Sequence, residues 1–571
     1  MKKGLSMLLS ILIVLSLAAC GSSGEDKAKD GEPSDKVKER DADKEAGSKA
    51  KDDKKAKAEI LKNPHVRRAI AMAIDKEALA KTVSNSAVPV NYLVPKEFSV
   101  DEAGKDFREK YPNGFLAYNP EEAKKEWKLA KKELGFDEVE LEILTFNGED
   151  AGKMIAKINE DLSTTLDGLT VTANQQTLEQ KSELTDSGKF YMDLAGWLPD
   201  YVDPLAFLDL FSKGSAHNAG SYYNQDFEAL LKKAKTEIDP AVRIKDLQEA
   251  EKILLEDGAL IPLYRDSDMY LCRPYIKNLT RTPHNAGFDY KYVSTDKLIG
   301  GKRIIHVLGG IDGAVLDVNK VMDQGSISLL INLNEGLLSF DTVGNPVPGI
   351  AKAWNVSEDG LTYTFYLRES YWSNGELLTA KDFVDSWHRL ANPETKSEYT
   401  TMLETAGVKN AIAVIDGELP PEELGIQALD AYTLQVTLDR PVPYFLDLMG
   451  FTCFYPINKA FIDRHGEDYA TSMETMLYNG PYKITSWDMG FGLDLERNEY
   501  YWNFDKVAND GVKYRMAKDL DTALAMYDNH DLDICPLDGE NSAQRKNSPE
   551  YLSYNNFSVF YIVINMNLNV N

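Results

Sequence analysis

From residue 60 onward, short apolar runs alternate with longer amphipathic stretches. Asn63 before Pro64 marks a helix start, a capping side chain followed by a residue that needs no N–H there, with apolar positions running from Val66 to Ile74. Asn119-Pro120 repeats that signal for a helix through Trp127 to Leu134, stopped by Gly135. Val139 to Thr145 reads as a strand, Lys153 to Leu162 as an amphipathic helix, Leu169 to Ala173 as a second strand and Phe190 to Ala195 as a third, buried one. Helices follow over 226–236 and 239–257, the latter opened by Asp239-Pro240 and stopped by Gly258. Alternation at these lengths predicts an α/β lobe around a buried sheet. Past Ile261 the strands shorten and turns multiply. Arg303–Leu308 reads as a strand, Trp354–Leu367 as a hairpin turning at Glu358-Asp359-Gly360, and Thr379 caps a helix through Trp387. Leu434–Leu438, Gly480–Trp487 and Leu493–Arg497 are further strands, the chain closes on an apolar strand over Val559–Asn567, and no internal repeat is visible.

The first 59 residues have another texture. Lys2 and Lys3 precede an apolar run from Leu5 to Leu17, then Leu17-Ala18-Ala19-Cys20-Gly21. The run is too short to span a bilayer and ends in small residues, which reads as a cleaved secretory signal. Cys20 followed by Gly resembles the lipobox of bacterial lipoproteins, so lipidation at Cys20 and a lipid anchor on the extracytoplasmic face are expected. Residues 21–59 carry interleaved charges and almost nothing apolar, and are read as a disordered tether.

At 571 residues the chain is too long for one core, so two or three domains are expected. A net charge of −27 argues against a nucleic-acid partner, since nothing would offset phosphate repulsion. Cys272, Cys453 and Cys535 lie far apart without metal-ligand spacing, so no metal site is expected; buried thiols are the reading, with one disulfide left open. The seven His are scattered, and neither GxSxG nor a P-loop occurs, so no catalytic residues are assigned and the chain is read as a binder rather than an enzyme.

One stretch carries candidate chemistry. Gly196-Trp197-Leu198-Pro199-Asp200-Tyr201-Val202-Asp203-Pro204 breaks a buried strand with Gly, Pro, aromatics and two acids. A carboxylate (Asp200) beside an indole (Trp197) suits a ligand ammonium, which pairs with the charge and is attracted to the ring. The same residues also fit a core Trp and a turn or capping acid for a helix near Pro204.

Other blocks decide between these readings. Glu335-Gly336-Leu337, Pro348-Gly349-Ile350-Ala351 with Trp354, Asp359-Gly360-Leu361-Thr362-Tyr363-Thr364-Phe365, Trp372-Ser373-Asn374-Gly375, Asn479-Gly480-Pro481-Tyr482-Lys483, Val66-Arg67-Arg68-Ala69 and Ala259-Leu260-Ile261-Pro262-Leu263-Tyr264 together resemble the oligopeptide- and dipeptide-binding proteins of ABC importers, solute-binding protein family 5. The resemblance covers nearly everything after the tether, but in altered order: blocks that come late in the family (about 60–298) precede those that come early (about 300–571). Each appears once. The pattern is that of a circular permutation, natural, engineered or an assembly artefact, with the old termini joined near Ser294–Gly301; a concatenation of two paralogous fragments is the competing account.

The resemblance implies an α/β, two-lobed periplasmic-binding-protein-like fold (class II type) with an extra small domain, closing on ligand like a hinged trap. Lobe two would be 60–260 with 559–571 as its returning strand, lobe one 261–334 with 450–558, and the small domain 335–449. An extended oligopeptide would lie between the lobes and pass to the transmembrane subunits of an ABC transporter, with no cofactor and a monomeric binder. Asp200 matches the receptor of the peptide ammonium, with Trp197 and Leu198 beside it; Met322, Asp323 and Gln324 match a strand pairing with the peptide backbone. Met322, Leu194 and Thr185 stand where some members carry a Glu and basic residues, which leaves recognition of the peptide carboxylate and the preferred length open. A surface receptor for signalling peptides and a secreted hydrolase are the alternative functions.

Overall fold

A computed structural model describes residues 54–568 apart from 84–86, 101–104, 200, 282–286, 310–315, 322, 342–344 and 489. The expected signal segment and Cys20 therefore lie outside the described residues, as do Asp200 and Met322. The stretch read as tether is already helical from residue 54, and Leu61 at the end of that helix is fully buried.

Helix α1 (Pro64–Ala73) has the expected cap, with Asn63 Oδ1 accepting the His65 and Val66 N–H groups. Helix α2 (Pro120–Leu134) ends at Gly135, whose φ of 70° is the left-handed turn that glycine adopts without a Cβ penalty. Strand β1 (Val139–Phe146), helix α3 (Glu149–Thr165), strand β2 (Leu169–Gln176) and strand β3 (Met192–Trp197) follow. Helix α4 (Pro240–Glu256) then leads into strand β4 (Leu260–Cys272). Beyond it come β5 (Ile304–Leu308), helix α5 (Gln324–Leu333), helix α6 (Ala380–Ala391), β6 (Tyr482–Asp488), β7 (Gly492–Arg497), β8 (Gly511–Arg515), β9 (Ile534–Leu537) and β10 (Tyr551–Ile564).

Among the described residues these ten strands form one sheet in the order β6-β7-β8-β5-β9-β4-β10-β3-β1-β2, with Val88–Pro89 added on β4. Two strands run through both halves of it. The first part of β4 pairs with the last part of β10 (Ile261 with Ile562, Arg265 with Val559), and its last part pairs with the start of β10 (Ser267 with Asn555, Leu271 with Tyr551). Strand β3 adds only to the Val559–Ile564 part of β10, and β9 only to the Met269–Cys272 part of β4. Each half has its own apolar core: Ile70, Leu141, Ile158 and Ile562 on one side, Ile305, Leu330, Tyr482 and Val512 on the other. The chain thus builds two α/β lobes joined by a two-stranded crossover.

A separate antiparallel sheet of Ala351–Val356, Thr362–Leu367, Thr433–Thr437 and Ile426–Asp430, covered by α6, lies within 335–449, the stretch expected as the small domain. Its core is aromatic, with Phe365, Phe383 and Trp387 fully buried. The same apolar cluster continues into the lobe that holds β1, β2 and β3, through Phe207, Phe227 and Val559. Cys272, Cys453 and Cys535 are buried, and among the described residues no disulfide joins them.

Candidate functional site

Strand β3 delivers the aromatic loop to the crossover. Trp197, its last residue, pairs with Val559 of β10, the point where β10 resumes regular pairing after an insertion at Asn556–Ser558. Within that insertion Phe557 has a φ of 58°, and Ser558 donates through both N–H and hydroxyl to Asn556 Oδ1. A bulge of this kind bends a strand and raises its local twist. Gly196 precedes Trp197 for a steric reason: a Cβ there would sit 2.9 Å from the Phe560 ring. The Trp197 ring packs edge-on against His217 at 4.9 Å, while its indole N–H is buried without a hydrogen-bond partner among the described residues. Leu198 is half-buried and Pro199 buried.

After the loop, Asp203 accepts the Leu205 N–H at the start of the short Leu205–Leu208 helix; the capping role was expected of Asp200, which lies outside the described residues. It also takes a two-pronged bond from Arg243 on α4, at 2.7 and 2.8 Å, in a buried pair. From the small domain, the Tyr444 ring stacks on Tyr201 at 5.0 Å and lies 5.7 Å from the Arg243 guanidinium. Asp447, one turn on, belongs to the same cluster: burial, and then repulsion from Asp203, push its carboxyl up to about 7.

Across the crossover the expectation of a peptide-pairing strand needs correcting. Gln324 opens α5, and Asp323 is its N-cap, with Oδ1 accepting the Ser326 N–H at 2.8 Å. A capping Asp followed by Ser326, Ile327, Leu329 and Leu330 buries a helical face, and local capping outweighs any extended preference. Asp323 and Gln324 therefore occupy a helix start on the lobe opposite Trp197. Of the two positions read as replaced basic residues, Leu194 is core and Thr185 donates to Asp193 Oδ2. Asp193 is also paired with Lys181 at 2.6 Å, both nearly inaccessible.

The polar residues of the crossover escaped the sequence reading. Arg265 on β4 donates to Asn555 Oδ1 at 2.6 Å, Asn555 donates to Glu97, and Asp268 is paired with Arg281. The available signal was a polar interruption, Arg265-Asp266-Ser267-Asp268, inside an otherwise apolar strand. Such a break marks where a strand leaves one core before entering the next.

A profile of the bacterial extracellular solute-binding proteins, family 5 (middle), matches residues 47–219 and 345–570, well over half of the chain. Among curated relatives, the periplasmic oligopeptide-binding protein OppA of Salmonella typhimurium is 36% identical over 220 residues, covering 38% of this chain and 40% of that protein. A dipeptide-binding protein of Lactococcus lactis is 35% identical over 231 residues, covering 40% and 42% respectively. The chain thus spans about two fifths of the length of these relatives. The structure of Listeria monocytogenes OppA bound to peptide is 34% identical over 44% of this chain and 49% of its own, with a TM-score of 0.42. On the breadth of the family match, the chain belongs to the bacterial extracellular solute-binding proteins of family 5.

Proposed function

We propose that this protein captures oligopeptides between its two lobes and delivers them to the permease of an ABC importer, held at the outer face of the cytoplasmic membrane by lipid on Cys20. Relatives named as oligopeptide- and dipeptide-binding proteins support the ligand class. The observation that carries the reading is the position of the 197–204 loop, which leaves β3 beside the bulged crossover and brings an indole N–H that has no partner among the described residues. In this reading Asp200 receives the peptide ammonium, Trp197 and Leu198 line its first residue, and the segment around Met322–Gln324 faces it from the other lobe. Main-chain bonding would make capture tolerant of side chains. Mass spectrometry of whatever co-purifies with the protein identifies the ligand. Asp200→Ala is expected to weaken free-amine peptides by ~2–5 kcal/mol, because it strands a buried ammonium, and to leave N-acetylated peptides almost unaffected. Equal losses for both would refute the ammonium assignment. Replacement of Cys20 by Ser should release the protein from membranes.

The block order is read as a circular permutation. In support, both ends of the folded body meet at Tyr191: the Lys57 ammonium lies 5.7 Å from its ring, and the Asn565 N–H donates to its carbonyl. At the inferred join, Ile299 and Lys302 exchange N–H bonds across Gly300 and Gly301, with φ of 57° and 82°, the geometry of a tight two-residue turn. The test is peptide mapping of protein from its native source. A fragment running continuously from Ser294 through Lys302 supports the permuted order, and its absence refutes it.

A further inference from the structure

The loop from Trp197 to Asp203 stands between β3 and a one-turn helix, and side chains hold it in place. Three anchors are on hand: the Trp197 ring on His217, the Asp203 carboxylate on Arg243, and the Tyr201 ring on Tyr444. The first two lie within one lobe. The third crosses to the small domain, which is inserted in the chain of the other lobe between α5 and β6. Tyr444 is built for this role. It is buried, its hydroxyl donates to the Thr405 carbonyl at 3.4 Å inside the small domain, and its ring faces Tyr201 at an interplanar angle of 19° with the Arg243 guanidinium 5.7 Å from its centroid. One ring therefore touches both the loop and the ion pair that terminates it.

We propose that Tyr444 is a positioning residue for ligand capture, through which the small domain clasps the loop around Tyr201. The proposal rests on the reading that this loop holds the ligand's ammonium. Ligand would then be retained by a contact it does not itself touch. Aromatic stacking of this kind changes an equilibrium by about tenfold.

The test uses full-length Tyr201→Ala and Tyr444→Ala, with Tyr201→Phe and Tyr444→Phe as ring-preserving partners. Amide hydrogen exchange over residues 201–206 in the ligand-free protein should run about tenfold faster in both Ala variants and at the wild-type rate in both Phe variants. Exchange in the Thr362–Leu367 strand should stay unchanged, which separates loss of the clasp from unfolding of the small domain; Tyr201→Ala, on the loop itself, serves where Tyr444→Ala fails to fold. Trialanine release, followed by tryptophan fluorescence, should quicken by the same factor, and the double Ala variant should be no worse than either single. Unchanged loop exchange in Tyr201→Ala overturns the clasp, as do losses that add in the double variant. A wild-type protein that carries no peptide and binds none of di- to pentaalanine overturns the peptide reading instead, and the exchange result still judges the clasp.

Discussion

Replacing Glu335 by Leu tests what holds the small domain to its lobe. Its carboxylate accepts from Lys291 Nζ at 3.0 Å, the Tyr501 hydroxyl at 2.8 Å and the Trp502 indole N–H at 2.5 Å, and both charged side chains are almost inaccessible. Burial pulls the Lys291 ammonium toward neutrality, but Glu335 overrides it and holds its pKa well above the ordinary value. Without Glu335, Lys291 would keep Ser339 Oγ, at 3.2 Å, and the Tyr292 ring, 5.1 Å away. Lys76 shows what that means: buried and bonded to Asn91 Oδ1 alone, it is pulled by burial down to about 7. A comparable fall for Lys291 corresponds to roughly 4–5 kcal/mol of lost stability at neutral pH, in line with the ~3–5 kcal/mol expected when a buried pair loses one partner. Two stranded donors, Tyr501 and Trp502, add about 1 kcal/mol each. Glu335→Leu should thus lose about 6 kcal/mol in urea unfolding at pH 7. The double variant with Lys291→Met removes the buried charge and should lose only about 2 kcal/mol, from those donors. The single variant carries a further signature. A lysine with a depressed folded-state pKa binds fewer protons folded than unfolded between about 7 and 10, so its deficit should shrink as pH rises through that range. A double variant as unstable as the single, or a deficit flat with pH, would refute the assignment of the cost to the unpaired ammonium.

Further outcomes follow from other sites. Asp447, raised to about 7, keeps its proton folded where the unfolded chain has lost it, so its stabilising contribution is complete below about pH 4 and is lost as pH rises through 7; Asp447→Asn should nearly match wild type in melting temperature at pH 4 and exceed it at pH 8, by about 4 kcal/mol in stability. Gly196→Val pushes its side chain into the Phe560 ring, 2.9 Å from the Cβ position, and should cost ~1–3 kcal/mol and weaken ligand binding, read by thermal melting and peptide titration. The Cys272 and Cys535 thiols are pushed up to about 12, chiefly by burial, so native protein should resist Ellman's reagent at pH 8 and react only on unfolding.

What was legible in the sequence is what local chemistry dictates. Asn63, Asn119 and Asp239 cap their helices because a short polar side chain before proline satisfies the free N–H groups whatever the surrounding fold, and Gly135 and Gly360 mark turns because they sit at φ near 70°. The Glu335 and Asn479 motifs were visible as a family pattern, yet only the fold brings the Asn479 side chain to the Glu335 backbone. Asp323 and Gln324, read as extended, open a helix because the capping Asp outweighs the extended preference. Strand β4 pairs along one half with β9 and along its length with β10, so it runs through two cores without any local break in extended backbone. The bulged crossover, the Tyr201–Tyr444 stack and the buried ion pairs depend on residues separated by tens to hundreds of positions. Their energies come from burial and mutual distance, which a linear sequence does not contain and only tertiary packing sets.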